Sequence, residues 1–292
     1  MHFYKNGNYA VMIYPDGTKV RQTDDDKFIP SFAECCDVKI TDYCDGGCKF
    51  CYEGCSTKGK HANLFQYSFI NSLHPYTEMA LNGNDLSHPE LEYFLEFLKE
   101  KKVIANMTVN QMHFEKHYDK LMEWAKKGLI HGLGISLRDA KSLAIEKAIA
   151  FPNSVFHVIA GIFNKDDYNA LKGRNAKILF LGYKDLRRGS TFLKEHTDKI
   201  NKNIEWLSKN VFDFRKHFNV ISFDNLAIEQ LELRKHFTDD EWEKFYMGDD
   251  GQYTFYIDMV KGEFGANSLA KVRYPIENLT IDEMFQKILK ER

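Results

Sequence analysis

The sequence predicts an α/β fold built on a parallel sheet. Short runs rich in apolar and β-branched residues alternate with longer stretches of helical periodicity, from residue 37 to residue 184. The chain has 292 residues, 43% apolar and 14% aromatic, enough for one large α/β domain or two ordinary ones. No internal repeat or low-complexity tract competes with that reading.

The first twenty residues alternate apolar and polar side chains around two turn signals, Asn6-Gly7-Asn8 and Pro15-Asp16-Gly17. That pattern predicts a short β-hairpin. Residues 22–31, with Asp24, Asp25, Asp26 and Pro30, read as a linker, so residues 1–30 form an N-terminal hairpin and linker. Strands are expected at 37–41, 78–82, 104–110, 132–137, 155–162 and 177–184. Helices are expected between them at 63–74, 89–101, 114–127, 140–150 and 166–172. The second of these has Pro89 in its first turn and Leu91, Phe94, Leu95 and Leu98 at helical spacing. Strand–helix–strand units of this kind cross over right-handedly, and periodicity does not say whether the sheet is open or closed. Beyond residue 190 the pattern gives a long polar helix at 194–217, a strand at 220–224, a helix at 225–237, a strand at 253–258 and a terminal helix at 280–291. Residues 240–275 carry the weakest pattern.

Charge narrows the function classes. With 40 basic and 42 acidic residues the formal net charge is −2, so no global field favours nucleic acid or an anionic membrane. The opening MHFYKNGNYA lacks the basic-then-apolar profile of a signal peptide, and no run reaches the ~18 apolar residues of a spanning helix. A soluble, cytoplasmic protein is the expectation. Reducing cytosol disfavours disulfides, so clustered cysteines there point to metal binding or redox chemistry.

All six cysteines lie between Cys35 and Cys55. Cys44, Cys48 and Cys51 follow the spacing C-x3-C-x2-C, directly after an expected strand, in a loop containing Gly46 and Gly47. Three thiolates hold three irons of a 4Fe–4S cluster and leave the fourth iron for a non-protein ligand. Cys55 is available as a fourth ligand, for a structural zinc or a fully ligated electron-transfer cluster. Zinc sites favour paired knuckles separated by a longer stretch, whereas these four thiols share one short loop. Cys35 and Cys36 are vicinal, so an extended segment points at most one of them into a given site; the simpler reading is two small buried apolar residues.

The segment CDGGCKFCY resembles the signature of the radical S-adenosylmethionine (radical SAM) enzymes, C-x3-C-x-aromatic-C, with Phe50 as the aromatic. The resemblance implies a partial (β/α)6 TIM-like barrel over residues 31–190, with the N-terminal hairpin before it and an α+β extension over 191–292 that closes the barrel. It implies a 4Fe–4S cluster on Cys44, Cys48 and Cys51, with S-adenosyl-L-methionine chelating the open iron. The activity implied is reductive cleavage of that cofactor to a 5′-deoxyadenosyl radical, which abstracts hydrogen from a substrate. An external one-electron reductant of the flavodoxin or ferredoxin type is implied as a partner.

Ligands of such barrels gather at the C-terminal ends of the strands. ALNGNDLSHPEL (80–91) resembles the family's GGE segment, which binds the cofactor's amino group. Asn82 and Gly83 then stand for the glycines, Asn84 for the glutamate and Asp85 for the proline. A neutral amide acceptor contributes ~0.5–1.5 kcal/mol where a carboxylate contributes ~1.5–3, so Asp85 is the candidate to supply the missing charge, with a cap on its own loop as the competing reading. In ISLRD (135–139), Ser136 matches the ribose contact and Arg138 the carboxylate contact, with a surface salt bridge as the competing reading for Arg138. Ile159 and Gly161 match the segment that packs on adenine, and backbone groups from Leu181 to Tyr183 match the segment that reads its edge. Lys184, Arg187 and Arg188 form a basic cluster at the expected mouth. Tyr52, Tyr183 and His88 are candidate radical partners, and no catalytic residue is assigned.

Residues 248–268 have the glycine–strand–turn rhythm of the extension found in peptide-modifying members, without its cysteines. A peptide or protein is therefore the expected substrate, with a small or nucleotide-derived molecule as the alternative. From a different class, the alternative is a non-catalytic zinc or electron-transfer iron–sulfur protein.

Overall fold

The computed structural model describes residues 1–291. At the N-terminus, β1 (His2–Asn6), β2 (Tyr9–Ile13) and β3 (Lys19–Gln22) form an antiparallel meander. The sequence predicted two strands; the third forms because the turn at Pro15–Gly17, closed by Tyr14 N–H donating to Thr18 O at 2.9 Å, returns Lys19–Gln22 along β2. The expected linker is tied down rather than free. The Asn6 carboxamide accepts from the amides of Ser31 and Phe32 and donates to the Phe32 carbonyl.

The main sheet starts at β4 (Cys35–Lys39). In chain order follow β5 (Glu78–Asn84), α1 (Leu91–Glu100), β6 (Ile104–Asn110), α2 (Gln111–Lys116), α3 (Tyr118–Lys126), β7 (Gly132–Ser136), α4 (Ile145–Ala150), β8 (Ser154–Ile159), α5 (Lys165–Leu171), β9 (Lys177–Leu181) and α6 (Arg188–Asn210). Next come β10 (Val220–Phe223), α7 (Asn225–Gln230), α8 (Asp239–Phe245), β11 (Thr254–Asp258), β12 (Glu263–Gly265), β13 (Tyr274–Pro275) and α9 (Ile281–Leu289). The fold is mixed α/β around a ten-stranded sheet of order β10-β9-β8-β7-β6-β5-β4-β11-β12-β13. Every pairing from β10 to β11 is parallel, and the β11–β12 and β12–β13 pairings are antiparallel.

Residues beyond 190 therefore flank both ends of the sheet: β10 pairs with β9, and β11 pairs with β4. Among the described residues no ladder joins β10 to β11, so the extension does not close the sheet by hydrogen bonds.

Other expected elements shift for local reasons. The helix expected at 63–74 is only a 3-10 turn, Ser68–Ser72. The helix expected at 114–127 is split at His117, which leaves the helical region, and its first part starts early because the Asn110 side chain caps it through Met112 N–H. The long helix starts at Arg188, bends at His196 and ends at Asn210 in a 3-10 turn, Val211–Lys216. The helix expected at 225–237 is α7 followed by a second 3-10 turn, Leu233–His236. The weakly patterned 240–275 holds α8, capped by a reciprocal Thr238–Glu241 box, and β11 to β13.

Alternation along the parallel strands sorts residues into two faces. On β5, Met79 and Leu81 are buried while Glu78, Ala80, Asn82 and Asn84 are only partly so. The same register recurs on β6, β8 and β9. The buried set packs under the helices in one hydrophobic core, with Leu91, Phe94, Leu95 and Leu98 as the apolar stripe of α1. At ~1.5–3 kcal/mol for each large side chain buried, this face carries most of the stability. The other face lines an internal cavity.

Candidate functional site

The cavity has a volume of about 1010 Å³ and is lined by strands from both ends of the parallel run, from Tyr256 of β11 to Ser222 of β10. One end is covered by the meander: Pro15, Asp16 and Gly17 line it, and the Asn153 amide donates to Pro15 O at 3.0 Å. At the opposite end, beyond β4, the cysteine loop begins.

That loop is zipped at its base. Asp42 N–H donates to Lys60 O, Ser56 N–H to Asp42 O, Cys44 N–H to Ser56 O and Ala62 N–H to Ile40 O. Three guanidiniums clamp it from outside its own sequence. Arg138 donates to Gly46 O at 2.9 Å, Arg188 to Cys55 O at 2.7 Å, and Arg187 to the carbonyls of Tyr52 and Glu53. Beneath it, the buried Lys39 ammonium lies 2.6 Å from Asp42 and from Glu53 and 3.7 Å from Asp258, joining β4, the loop and β11. The surrounding carboxylates raise the Lys39 pKa against the opposing effect of burial, so it stays charged.

Cys44, Cys48 and Cys51 all open onto the cavity, each half-buried and none in a disulfide. Gly46 N–H donates to Cys44 Sγ at 3.3 Å, and the Asn110 carboxamide donates to Cys48 Sγ at 3.3 Å. A Cβ on Gly46 would stand 3.2 Å from Cys44 Sγ and 3.3 Å from the His113 ring, so only glycine fits there without displacing a neighbour. Burial pushes the Cys44 thiol up to about 11 and raises Cys48. The neighbouring Cys55 thiol pulls Cys51 down, Arg188 adds to this, and the same pairing drives Cys55 upward. Cys55 is itself buried, with the Asn84 amide 3.5 Å from its sulfur.

This donor set suits a thiolate-held cluster: three soft ligands face one space, with N–H groups and guanidiniums to stabilise sulfur charge. Among the described residues no three His, Cys, Asp or Glu side chains converge on a point where one metal ion would sit. A mononuclear zinc site needs ligands within ~2.0–2.3 Å of a common centre. Cys35 and Cys36 lie on β4, their thiols pushed up by burial and away from the loop's three.

The other sequence-matched residues divide. Phe50 lines the cavity and meets Phe192 of α6 edge-on at 5.8 Å between ring centres. Asn82 spends its carboxamide within the fold, accepting from Ile40 N–H at 2.7 Å and donating to Thr41 O at 3.3 Å. Gly83 is the extra residue of a bulge against β6 and turns toward Met107. Asn84 donates to Tyr43 O at 3.0 Å and keeps a cavity-side Oδ1 with no protein donor among the described residues. Asp85 does not supply a cavity charge. Its carboxylate accepts from Ser87 N–H and Oγ–H and from Asp45 N–H, because the turn after β5 leaves those donors nearest.

Ser136 and Ile159 face the cavity. Arg138 makes no ion pair among the described residues; its partner is a peptide carbonyl, so the salt-bridge alternative does not hold. Gly161 turns toward Ile200 of α6, away from the cavity. Leu181 lines the cavity, but the backbone donors that follow are taken: Gly182 N–H donates to Asp224 and Tyr183 N–H to Gln230. An edge-reading role for those amides is corrected, since α7 supplies side-chain acceptors that already satisfy them. The Tyr183 hydroxyl donates to Gly189 O, and His88 is buried against Ala62 O, which leaves Tyr52 as the cavity-lining member of the three candidate radical partners whose side chain is not consumed by a backbone contact. Lys184, Arg187 and Arg188 are braces rather than a solvated mouth: Lys184 donates to Ser268 Oγ at 2.9 Å and sits 4.1 Å over the Tyr52 ring.

Four residues escaped sequence reading. Asn110 touches Cys48 Sγ, and His113, fully buried, contacts Asp45 at 2.5 Å through Nε2 while its Nδ1 has no partner. His157 projects into the cavity from β8; a Cβ on Gly134 of β7 would overlap its ring at 2.3 Å. Burial alone lowers its pKa to about 4, so the imidazole is neutral at pH 7. Asp37 faces the same cavity from β4. Period-two alternation assigns Asp37, Asn110 and His157 to one strand face each, while His113 stands on α2, and nothing in the sequence says which face is hollow.

Comparison with protein-family models, with curated proteins and with solved structures gives no match. Among the described residues no helix is long and apolar enough to cross a membrane.

Proposed function

We propose that the protein is a radical SAM enzyme whose Cys44, Cys48 and Cys51 hold a 4Fe–4S cluster with one open iron. The observation that supports this reading is that all three thiols, from one C-x3-C-x2-C loop, line one cavity at the C-terminal end of the parallel strands. The sheet curls far enough that β4, β10 and β11 border the same space, as in a partial TIM-like barrel left open between β10 and β11. When bound, the cluster supplies the electron that splits S-adenosylmethionine into methionine and a 5′-deoxyadenosyl radical, which takes hydrogen from the substrate.

The chain's own groups bind and orient. The free Asn84 Oδ1 accepts from the cofactor's ammonium, Ser136 bonds the ribose, Arg138 meets the carboxylate and Ile159 packs on adenine. Arg138 reaches a ligand by exchanging its bond to Gly46 O. Half-burial of the three thiols limits water at the cluster. Ligand pockets are commonly about 300–1,000 Å³, so a cavity of this size holds a cofactor and part of a substrate. The electron comes from an external flavodoxin- or ferredoxin-type donor. The substrate is a peptide or protein, with a small molecule as the alternative.

Anaerobic iron–sulfide reconstitution tests the reading. Expected are about four irons per chain and formation of 5′-deoxyadenosine from S-adenosylmethionine and dithionite. A colourless protein with one zinc per chain, or iron without 5′-deoxyadenosine, overturns it.

A further inference from the structure

Side chains that reach the cysteine loop from elsewhere in the chain mostly end on its peptide carbonyls. Arg138 donates to Gly46 O, Arg187 to the carbonyls of Tyr52 and Glu53, and Arg188 to Cys55 O. His113 meets the Asp45 carboxylate. Asn110 is different. Its Nδ2 lies 3.3 Å from Cys48 Sγ. Among the described residues it is the one side chain from outside the loop bonded to a sulfur of Cys44, Cys48 or Cys51; the donor to Cys44 is the loop's own Gly46 N–H.

The orientation of this carboxamide is fixed independently of the loop. Asn110 ends β6 in register with Ser136 of β7, so its backbone belongs to the sheet. Its Oδ1 accepts from Met112 N–H at 3.1 Å and so caps α2. Because the cap claims the oxygen, the N–H half of the amide is the one left to face Cys48. A sulfur that accepts an N–H bond carries negative charge at lower cost. Reduction adds an electron to a cluster and its ligands, so a donor to a ligating sulfur favours the reduced state and raises the potential.

We propose that Asn110 is a positioning residue that tunes the cluster: its N–H bond to the Cys48 thiolate raises the reduction potential and sets how readily the external donor loads the electron. The proposal rests on the cluster reading and adds a residue that the cysteine spacing does not contain.

A role as helix cap alone is separable, because Ser and Asp cap about as well as Asn does. Asn110→Ser keeps the cap with a side chain too short to reach the sulfur. Asn110→Asp keeps the cap and the shape, removes the N–H and places a carboxylate beside Cys48. Anaerobically reconstituted native protein and both variants are titrated with redox mediators, and the reduced cluster is read by electron paramagnetic resonance. At a fixed potential the reduced-to-oxidised ratio should fall by about twofold to tenfold in Asn110→Ser, the worth of one hydrogen bond, and by more in Asn110→Asp. A tenfold fall is a shift of about 59 mV for one electron. Iron content and the unfolding midpoint of the metal-free protein should stay at native values. An unchanged ratio in both variants overturns the proposal. So does loss of iron from both, which would make Asn110 necessary for assembly instead. Either variant decides alone if the other fails to fold. Formation of 5′-deoxyadenosine by the native protein, assayed separately, keeps the two readings apart. If it forms while the potentials agree, only the Asn110 role fails; if it never forms but the potential falls from native to Ser to Asp, only the radical reading fails.

Discussion

The two faces of the parallel sheet are one residue apart along every strand and obey different rules. Toward the helices stand Met79, Leu81, Met107, Ile178 and Phe180, all almost fully buried. Toward the cavity stand Asp37, Asn82, Asn106, Gly134 and His157, polar or absent in bulk. The first face is close-packed and resists change of volume; the second is hollow, and its groups are held by specific bonds or by none. Stability and chemistry thus share the same backbone but separate side chains, and substitutions should sort accordingly.

The sharpest break is expected at the cysteines. Ala at Cys44, Cys48 or Cys51 should abolish reductant-dependent 5′-deoxyadenosine and lower bound iron, with the unfolding midpoint of the metal-free protein little changed. Cys55→Ala should keep most of the product, since it stands outside the C-x3-C-x2-C spacing and its buried thiol points to Thr41 O; a loss equal to the others makes Cys55 a ligand. On the opposite face, Phe180→Ala should cost about 3–5 kcal/mol in denaturant unfolding, because the ring is fully buried against Phe163 and Phe223. Chemistry measured well below its melting point should survive.

A smaller effect belongs to the Asn84 amide. Asn84→Ala should weaken S-adenosylmethionine binding by about tenfold or less, the scale of one neutral hydrogen bond, while iron content holds. Unaltered affinity would remove residues 82–85 from the cofactor's site.

Titration sharpens the contrast within the cavity face. Asp37 has a raised pKa, so the folded state holds its proton more tightly, and its contribution to stability falls as pH rises from ~4 to about 6. His157 has a lowered pKa, so the unfolded state takes the proton first, and its contribution rises from about 4 to ~6.5. Asp37→Asn should therefore make the unfolding free energy of the metal-free protein climb more steeply over that window, and His157→Gln should flatten it. Identical profiles for both variants would place neither group in an enclosed space. The smallest effect is expected from Lys209→Ala, whose partner Glu205 is on the exposed side of α6; the denaturant midpoint should not move measurably.

Local signals were legible. The alternation of strands and helices, the apolar stripe of α1 and the spacing of Cys44, Cys48 and Cys51 rest on neighbours within a few residues, and the structure keeps the expected strands and the α1 stripe. The helix expected at 63–74 was not kept, because that stretch is tied elsewhere: Leu64 N–H donates to Glu90, and Ser72 Oγ accepts from Ile281 N–H at the start of α9. Arg188 read as part of a basic cluster at the mouth because its partner, Cys55 O, is 133 residues away. Asp85 read as a cofactor contact because spacing does not say which amides a turn brings to it.

The sequence by itself determined the parallel α/β pattern and the set of thiols, since both follow from periods of two, three and four residues that need no distant partner. Tertiary structure alone decided that β10 and β11 flank opposite ends of the sheet, that three arginines brace the cysteine loop, and that one strand face encloses a cavity. Those outcomes depend on contacts between residues far apart in the chain, and pairing at that distance is set by how whole elements pack rather than by any local run of residues.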